Sequence, residues 1–151
     1  MPNPKIMILN GPNLNMLGLR EPEIYGTQTL EDIKTLCTEK AATLGLDTTF
    51  AQSNHEGELV DLIQKAAQDK DYAGLIINAA AYTHTSVAIH DALKLLTIPI
   101  IEVHISDPKS REEFRHQSYV EPLAAAVIAG QGAQGYEKAL EALEAMINIS
   151  K

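Results

Sequence analysis

Glu102 and His104 stand two residues apart at the end of an otherwise apolar run, Ile98-Pro-Ile-Ile-Glu-Val-His104. In a strand that spacing puts both side chains on one face. A carboxylate beside an imidazole orients the ring and favours its charged form, which suits a general acid. Two ionisable groups are costly to bury in such a run, so the pair reads as functional. Arg20 and Tyr25 lie five apart in another segment. A nearby guanidinium favours the phenolate, and such a base could take a proton beside a carbonyl. An exposed arginine next to a packing tyrosine is the plainer alternative. Arg111 and Arg115 are four apart, so one helical turn could present both guanidinia to a carboxylate or to hydroxyls. Glu112 and Glu113 are the competing partners. In Asn78-Ala-Ala-Ala-Tyr-Thr-His84 the small residues let a ligand approach the backbone. His84 falls at a helix start, where imidazolium is disfavoured, and so reads as a neutral hydrogen-bond partner.

Other chemistries fit less well. The turn signature Asn10-Gly-Pro-Asn13 is not a phosphate-binding loop, because neither GxxxxGK[ST] nor GxGxxG is present. A Ser-His-Asp hydrolase lacks its G-x-S-x-G elbow. For a metal site, His84 and His90 are six apart and do not share a helical face, and no HExxH or cysteine cluster occurs.

These groups need elements to position them. Apolar runs predict strands at Lys5–Leu9, Leu46–Gln52, Ala73–Asn78, Ile98–His104 and Ala124–Ala129. The first, third and fourth are nearly continuous, as for strands covered on both faces; the second alternates, as for a half-buried or edge strand. Helical spacing runs through Leu30–Leu44 after Thr29 as N-cap, through Leu59–Ala67 after Asn54 or His55, through Ala88–Leu96, and through Tyr136–Ile147. Ser110–Gln117 reads as a short helix or a loop. Strands alternating with helices predict a flavodoxin-like three-layer α/β sandwich, with a five-stranded parallel sheet in the order 2-1-3-4-5 and helices on both faces. Ligands of such sheets bind at the strand carboxyl ends, at the switch point between strands 1 and 3. The segments leaving strands 1, 3 and 4 are Asn10–Gly26, Asn78–His84 and His104–Arg115, and these hold the reactive residues. The first is long for a strand-to-helix connection, which suggests a binding loop or lid at about 19–27.

The 151 residues suit one domain, 1–151. The formal net charge of −8 argues against nucleic acid or an anionic membrane as partner, but a small anion could still bind where the few cations gather. All three arginines lie in two of the three segments. Cys37 is the sole cysteine and sits on an apolar helix face, which suits packing in a reducing cytoplasm.

Several segments carry a family resemblance: Asn10-Gly-Pro-Asn-Leu-Asn, Arg20-Glu-Pro through Tyr25-Gly, Gln52-Ser-Asn-His-Glu-Gly-Glu-Leu, Asn78 with Thr83-His-Thr-Ser, Ile101-Glu-Val-His-Ile-Ser106, Arg111-Glu-Glu-Phe-Arg-His-Gln-Ser-Tyr119 and Gly132-Ala-Gln-Gly-Tyr136. In this order, over nearly the whole chain, they resemble type II 3-dehydroquinate dehydratase. The resemblance implies reversible anti elimination of water from 3-dehydroquinate to 3-dehydroshikimate through an enolate, in the shikimate pathway or in quinate breakdown. It implies no cofactor or metal, and a homododecamer of four trimers. Residue by residue it implies Tyr25 as base activated by Arg20, Asn13 as holder of a water that stabilises the enolate, and His104 with Glu102 as acid. Asn78 binds near the departing hydroxyl, the backbone of Ile105 and Ser106 binds the carboxylate, and His84 and Arg115 bind the ring hydroxyls. Asp91 reaches a neighbouring subunit's site, and Arg111 contributes charge near Tyr25. Asp107-Pro-Lys109 and His90 depart from the family's usual residues. A Schiff-base route to the same product normally uses a lysine in a larger barrel. A non-catalytic binding module is the remaining alternative.

Overall fold

The computed structural model describes residues 2–19, 23 and 27–149. Five parallel strands form one sheet: β1 (Lys5–Asn10), β2 (Asp47–Gln52), β3 (Tyr72–Asn78), β4 (Ile100–His104) and β5 (Ala126–Ala129). Their order is β2-β1-β3-β4-β5, as the sequence predicts, with the half-buried β2 at an edge. Among the described residues, four α-helices cover the sheet: α1 (Leu30–Thr43), α2 (Glu56–Gln68), α3 (Val87–Leu93) and α4 (Gln134–Ile149).

Side-chain alternation along the central strands divides the core. Ile6 and Ile8 of β1, Ile76 of β3, and Ile101 and Val103 of β4 pack with α1 and α4. Met7, Leu9, Leu75, Ile77 and Ile100 pack with α2 and α3 on the other face. Each such fully buried Ile or Leu side chain contributes about 1.5–3 kcal/mol relative to exposure. Glu102 and His104 share the strand face of Ile100, so the pair emerges beside α3 and the segment that follows Ser118.

Local signals set the boundaries. A capping box starts α1: Thr29 Oγ1 accepts from Asp32 N at 3.1 Å, and Asp32 Oδ2 accepts from Thr29 N at 3.0 Å. Ser86 caps α3 by accepting from Ile89 N at 2.9 Å. At α2 the N-cap is His55, without a side-chain bond; Asn54 is used elsewhere. Several boundaries differ from expectation by a residue, and three by more. β4 begins after Pro99, whose ring cannot donate to a ladder. β5 starts at Ala126 rather than Ala124. α3 ends at Leu93, and the expected last turn loosens into short-range bonds from Leu95 N to Ala92 O and from Leu96 N to Leu93 O. The 110–117 stretch is neither one helix nor plain loop: two 3₁₀ turns, Pro108–Ser110 and Glu113–Arg115, break it up. No helix among the described residues is long and apolar enough to cross a membrane.

Cys37 lies with Ile33 and Ala41 on the buried stripe of α1. Burial, with Glu137 nearby, pushes its thiol up to about 12. The native protein should therefore react with a thiol-directed reagent at pH 8 far more slowly than a free thiol, and reach full labelling in denaturant. Equal rates in the two states would contradict this packing.

Candidate active site

The sheet register brings three polar residues level at the carboxyl end. Asn10 pairs with Gln52 on one side and with Asn78 on the other. Asn10 and Asn78 are both buried, so their amides need partners, and Tyr136 of α4 supplies them. Its hydroxyl donates to Asn10 Oδ1 at 2.6 Å and accepts from Asn78 Nδ2 at 3.0 Å. Asn10 Nδ2 donates to Ala51 O at 3.1 Å. Burial pushes the Tyr136 phenol above its ordinary range, so it stays neutral and can hold both roles. The periodicity of α4 identified Tyr136 only as an apolar-face residue, and its function as the hub of the switch point was missed.

The β1 loop crosses this hub closely. Gly11 N donates to Asn78 O at 2.8 Å, and a methyl group at Gly11 would sit 2.3 Å from Ala79 O, so only glycine fits. Asn13 takes a left-handed backbone (φ 70°), as the turn signature predicts. Its N–H donates to Asn54 Oδ1 at 2.9 Å, and Gln52 Nε2 donates to Asn54 Oδ1 and to Gly11 O, each at 3.1 Å. Ala80, after β3, is also left-handed (φ 52°), at a cost of about 1–2 kcal/mol. Asn78 Oδ1 accepts from its N–H at 3.2 Å and helps to hold it there. Gly18 nears the far end of the same loop: a Cβ built on it would lie 3.1 Å from Thr27 O and 3.2 Å from Thr29 Cγ2. Arg20 and Tyr25, and most of the expected lid, lie outside the described residues.

Glu102 and His104 are buried at the end of β4. His104 Nε2 lies 2.5 Å from Glu102 Oε2, and the two side chains are 8% and 2% exposed. With Nε2 donating to the carboxylate, Nδ1 is the nitrogen left for a substrate. Ser118 also donates to Glu102 Oε2, at 2.9 Å, while its own oxygen accepts from Val120 N and Glu121 N. Ser118 was not anticipated, because its segment has no periodic pattern to place it.

A cavity of about 240 Å³ joins these parts. It is lined by Pro12, Asn13 and Leu14 from the first loop, Asn78, Ala80 and His84 from the second, and His104, Ile105, Ser106, Arg111 and Arg115 from the third. The carbonyls of Ile105 and Ser106 accept from Gly132 N and Gly130 N, so what this turn can offer an anion is N–H. Arg111 donates to Ser106 Oγ at 3.3 Å. Both arginines also reach Glu112 Oε1, Arg115 at 3.1 Å and Arg111 at 3.8 Å. The competing salt bridge is therefore present, yet both side chains still face the cavity. The Glu112 backbone N–H, followed by Arg115, holds that carboxyl below its ordinary range. Asp91 is exposed on α3 and does not line the cavity. Among the described residues, no group of three or more His, Cys, Asp or Glu side chains is arranged to hold a metal ion. A larger concavity of about 920 Å³ lies at the opposite end of β3–β5, around Ala73, Ile98 and Ala124, and is lined mostly by apolar residues. It gathers none of the chemistry of a reacting site.

His84 Nδ1 donates to Gln117 O at 2.8 Å. Its pKa is lowered chiefly by burial, with His104 and Arg115 adding to the effect. Burial, rather than the helix start, is thus the main reason it is neutral. Because the folded state disfavours the charged form, the unfolded chain binds this proton first as pH falls through the ordinary value of 6.5. His84 should therefore cost stability below that pH and none above it. In urea titrations across this window, His84→Gln should flatten the pH dependence of the unfolding midpoint; an unchanged slope would contradict this.

A family model for dehydroquinase class II matches residues 4–144. The 3-dehydroquinate dehydratase of Rhizobium meliloti is 52% identical over 146 residues, covering 97% of each chain. The 3-dehydroquinate dehydratase of Dinoroseobacter shibae is 54% identical over 145 residues, covering 96% of this chain and 95% of that one. The crystal structure of the type II dehydroquinase from Propionibacterium acnes matches with a TM-score of 0.90 at 46% identity, covering 94% of this chain and 97% of that one. Sequence and fold agree over almost the full length, and on that ground the chain belongs to the class II dehydroquinase family.

Proposed function

We infer that this chain is a 3-dehydroquinate dehydratase, a hydro-lyase that reversibly removes water from 3-dehydroquinate to give 3-dehydroshikimate. The observation that carries the mechanism is the buried Glu102–His104 pair, 2.5 Å apart, on a cavity that also gathers Arg111, Arg115 and Asn13.

Elimination through an enolate needs a base, a stabiliser for the developing oxyanion and a separate acid. Tyr25, activated by Arg20, is the base that removes the proton alpha to the ketone. Asn13 holds a water against the enolate oxygen. His104 Nδ1–H then protonates the departing hydroxyl, and Glu102 keeps the ring in place. Asn78 has one Nδ2–H bound to Tyr136 and a second for that hydroxyl. The N–H groups of Ile105 and Ser106 take the substrate carboxylate. His84 Nε2, an acceptor once Nδ1 has donated to Gln117, takes one ring hydroxyl, and Arg115 another. Arg111 adds positive charge. The enolate electrons form the new C=C bond as the C–O bond breaks, and both proton transfers can be made by side chains, so the proposal requires no cofactor.

The 19–27 segment acts in this reading as the lid of one catalytic domain, 1–151. The closeness of Gly18 to Thr27 and Thr29 supports it, because the lid then leaves and returns beside the loop that lines the cavity. The exposure of Asp91 outside the cavity accords with a role at a neighbouring subunit's site in a homododecamer of four trimers. The single, buried cysteine accords with a cytoplasmic location.

Tyr25→Phe tests the base. Formation of the conjugated enone, followed by its ultraviolet absorbance, should slow by about 10²–10⁴-fold while the far-ultraviolet dichroism is unchanged. Turnover near the wild-type rate would remove Tyr25 from its role.

A further inference from the structure

A second cavity of about 240 Å³ adjoins the acid pair, sharing His84, His104, Pro108 and Arg115 with the substrate cavity. Two oxygen atoms on residues around it are buried and have no hydrogen-bond partner among the described residues: Glu102 Oε1 and Thr83 Oγ1. Their residues are 2% and 1% exposed. The contrast within one carboxylate is sharp. Glu102 Oε2 receives both His104 Nε2, at 2.5 Å, and Ser118 Oγ, at 2.9 Å, while Oε1 receives nothing from the described residues. Thr83 belongs to the same unit, because its carbonyl accepts from Tyr119 N at 2.9 Å, next to Ser118. A buried carboxylate oxygen without a donor is costly, and native folds rarely leave one so. A cavity of this size, lined mostly by polar residues, exceeds the roughly 10–15 Å³ that one water needs, and both oxygens can bond to a water.

We propose that Thr83 Oγ1 and Glu102 Oε1 share a buried water, and that Thr83 is thereby a positioning residue for the acid. The water donates to Oε1, and the Thr83 hydroxyl fixes the water. Together they complete the shell of the carboxylate that Ser118 completes on the other side. Glu102 is then held in one rotamer, and His104 keeps the orientation that leaves Nδ1 for the substrate. The catalytic part of this proposal rests on the reading of His104 as general acid; the water site does not.

The test combines a crystal structure that resolves ordered water with the near-isosteric variant Thr83→Val and the conservative variant Thr83→Ser. Density should show a water within hydrogen-bond distance of both oxygens in the wild type and none there in Thr83→Val. The valine variant should melt below the wild type, since it loses a satisfied bond. An orphan hydroxyl predicts the opposite sign, because a methyl of the same shape then removes a penalty. The kcat of Thr83→Val should fall about tenfold with KM unchanged, and Thr83→Ser should restore the rate, the water and the melting temperature. Absence of the water, a valine variant that melts at or above the wild type, or an unchanged kcat would each overturn the proposal. If His104→Ala itself stays active, the general-acid reading fails, while the density and melting results still decide the water site.

Discussion

His104→Ala should lower kcat for dehydration by about 10²–10⁴-fold, the range a positioned general acid supplies. A second signature should accompany it. Glu102 is almost fully buried, and without the imidazole its Oε2 keeps only Ser118. Removing one partner of a buried ion pair strands the other, at about 3–5 kcal/mol. The variant should therefore be both slow and less stable, whereas a surface histidine would give neither effect. His104→Gln separates the two. An amide can donate to Glu102 and recover stability, but it cannot deliver a proton, so kcat should stay low. Steady-state kinetics and urea unfolding on the two variants read out both effects. Recovery of kcat in the glutamine variant would remove His104 from its role as acid.

Tyr136→Phe should be the most damaging substitution outside the cavity. The ring stays and only the hydroxyl goes, yet Asn10 Oδ1 loses its donor and Asn78 Nδ2 its acceptor, both in the buried hub. At about 1–3 kcal/mol for each of the two unsatisfied groups, the loss is on the order of 2–6 kcal/mol. For a chain of this size that lowers the melting temperature by about 4–24 °C. Activity should fall as well, by about tenfold at temperatures where the variant is folded, because Asn78 borders the cavity and loses its anchor. Calorimetry with an activity assay at 20 °C checks both. A variant that melts with the wild type would show that the hub does not hold the switch point.

These two residues also mark what was legible in the chain and what was not. The layered sheet and its order follow from alternation and near-continuous apolar runs, such as Ile6–Leu9 and Leu75–Ile77, because burial on two faces leaves a direct trace in composition. Glu102 and His104 were readable for the opposite reason: charge interrupts such a run only at a cost. The strand order then brought Asn13, Asn78, His84, Ile105, Ser106, Arg111 and Arg115 onto the same cavity as His104, as expected. Tyr136 was not readable as a hub. Helical spacing accounts for its ring, and its hydroxyl bonds to a residue 126 positions away. Ser118 lies in a segment without periodicity and Thr83 in a short 3₁₀ turn, and the role of Ser118 depends on the oxygen of Glu102 that it reaches across the fold. For His84 the neutral form was foreseen but the cause was misjudged, since sequence reveals a helix start more readily than burial by residues 104–117.

The most direct test of the account is a single incubation of the purified chain with 3-dehydroquinate in the presence of cyanoborohydride at neutral pH, which reduces a Schiff base but spares a ketone, followed by ultraviolet absorbance and intact mass. Proton transfer by Tyr25 and His104 predicts that the absorbance of the conjugated enone rises at its usual rate and that the protein mass does not change. No rise, or a rate that collapses as a reduced substrate–lysine adduct appears in the mass, would contradict it.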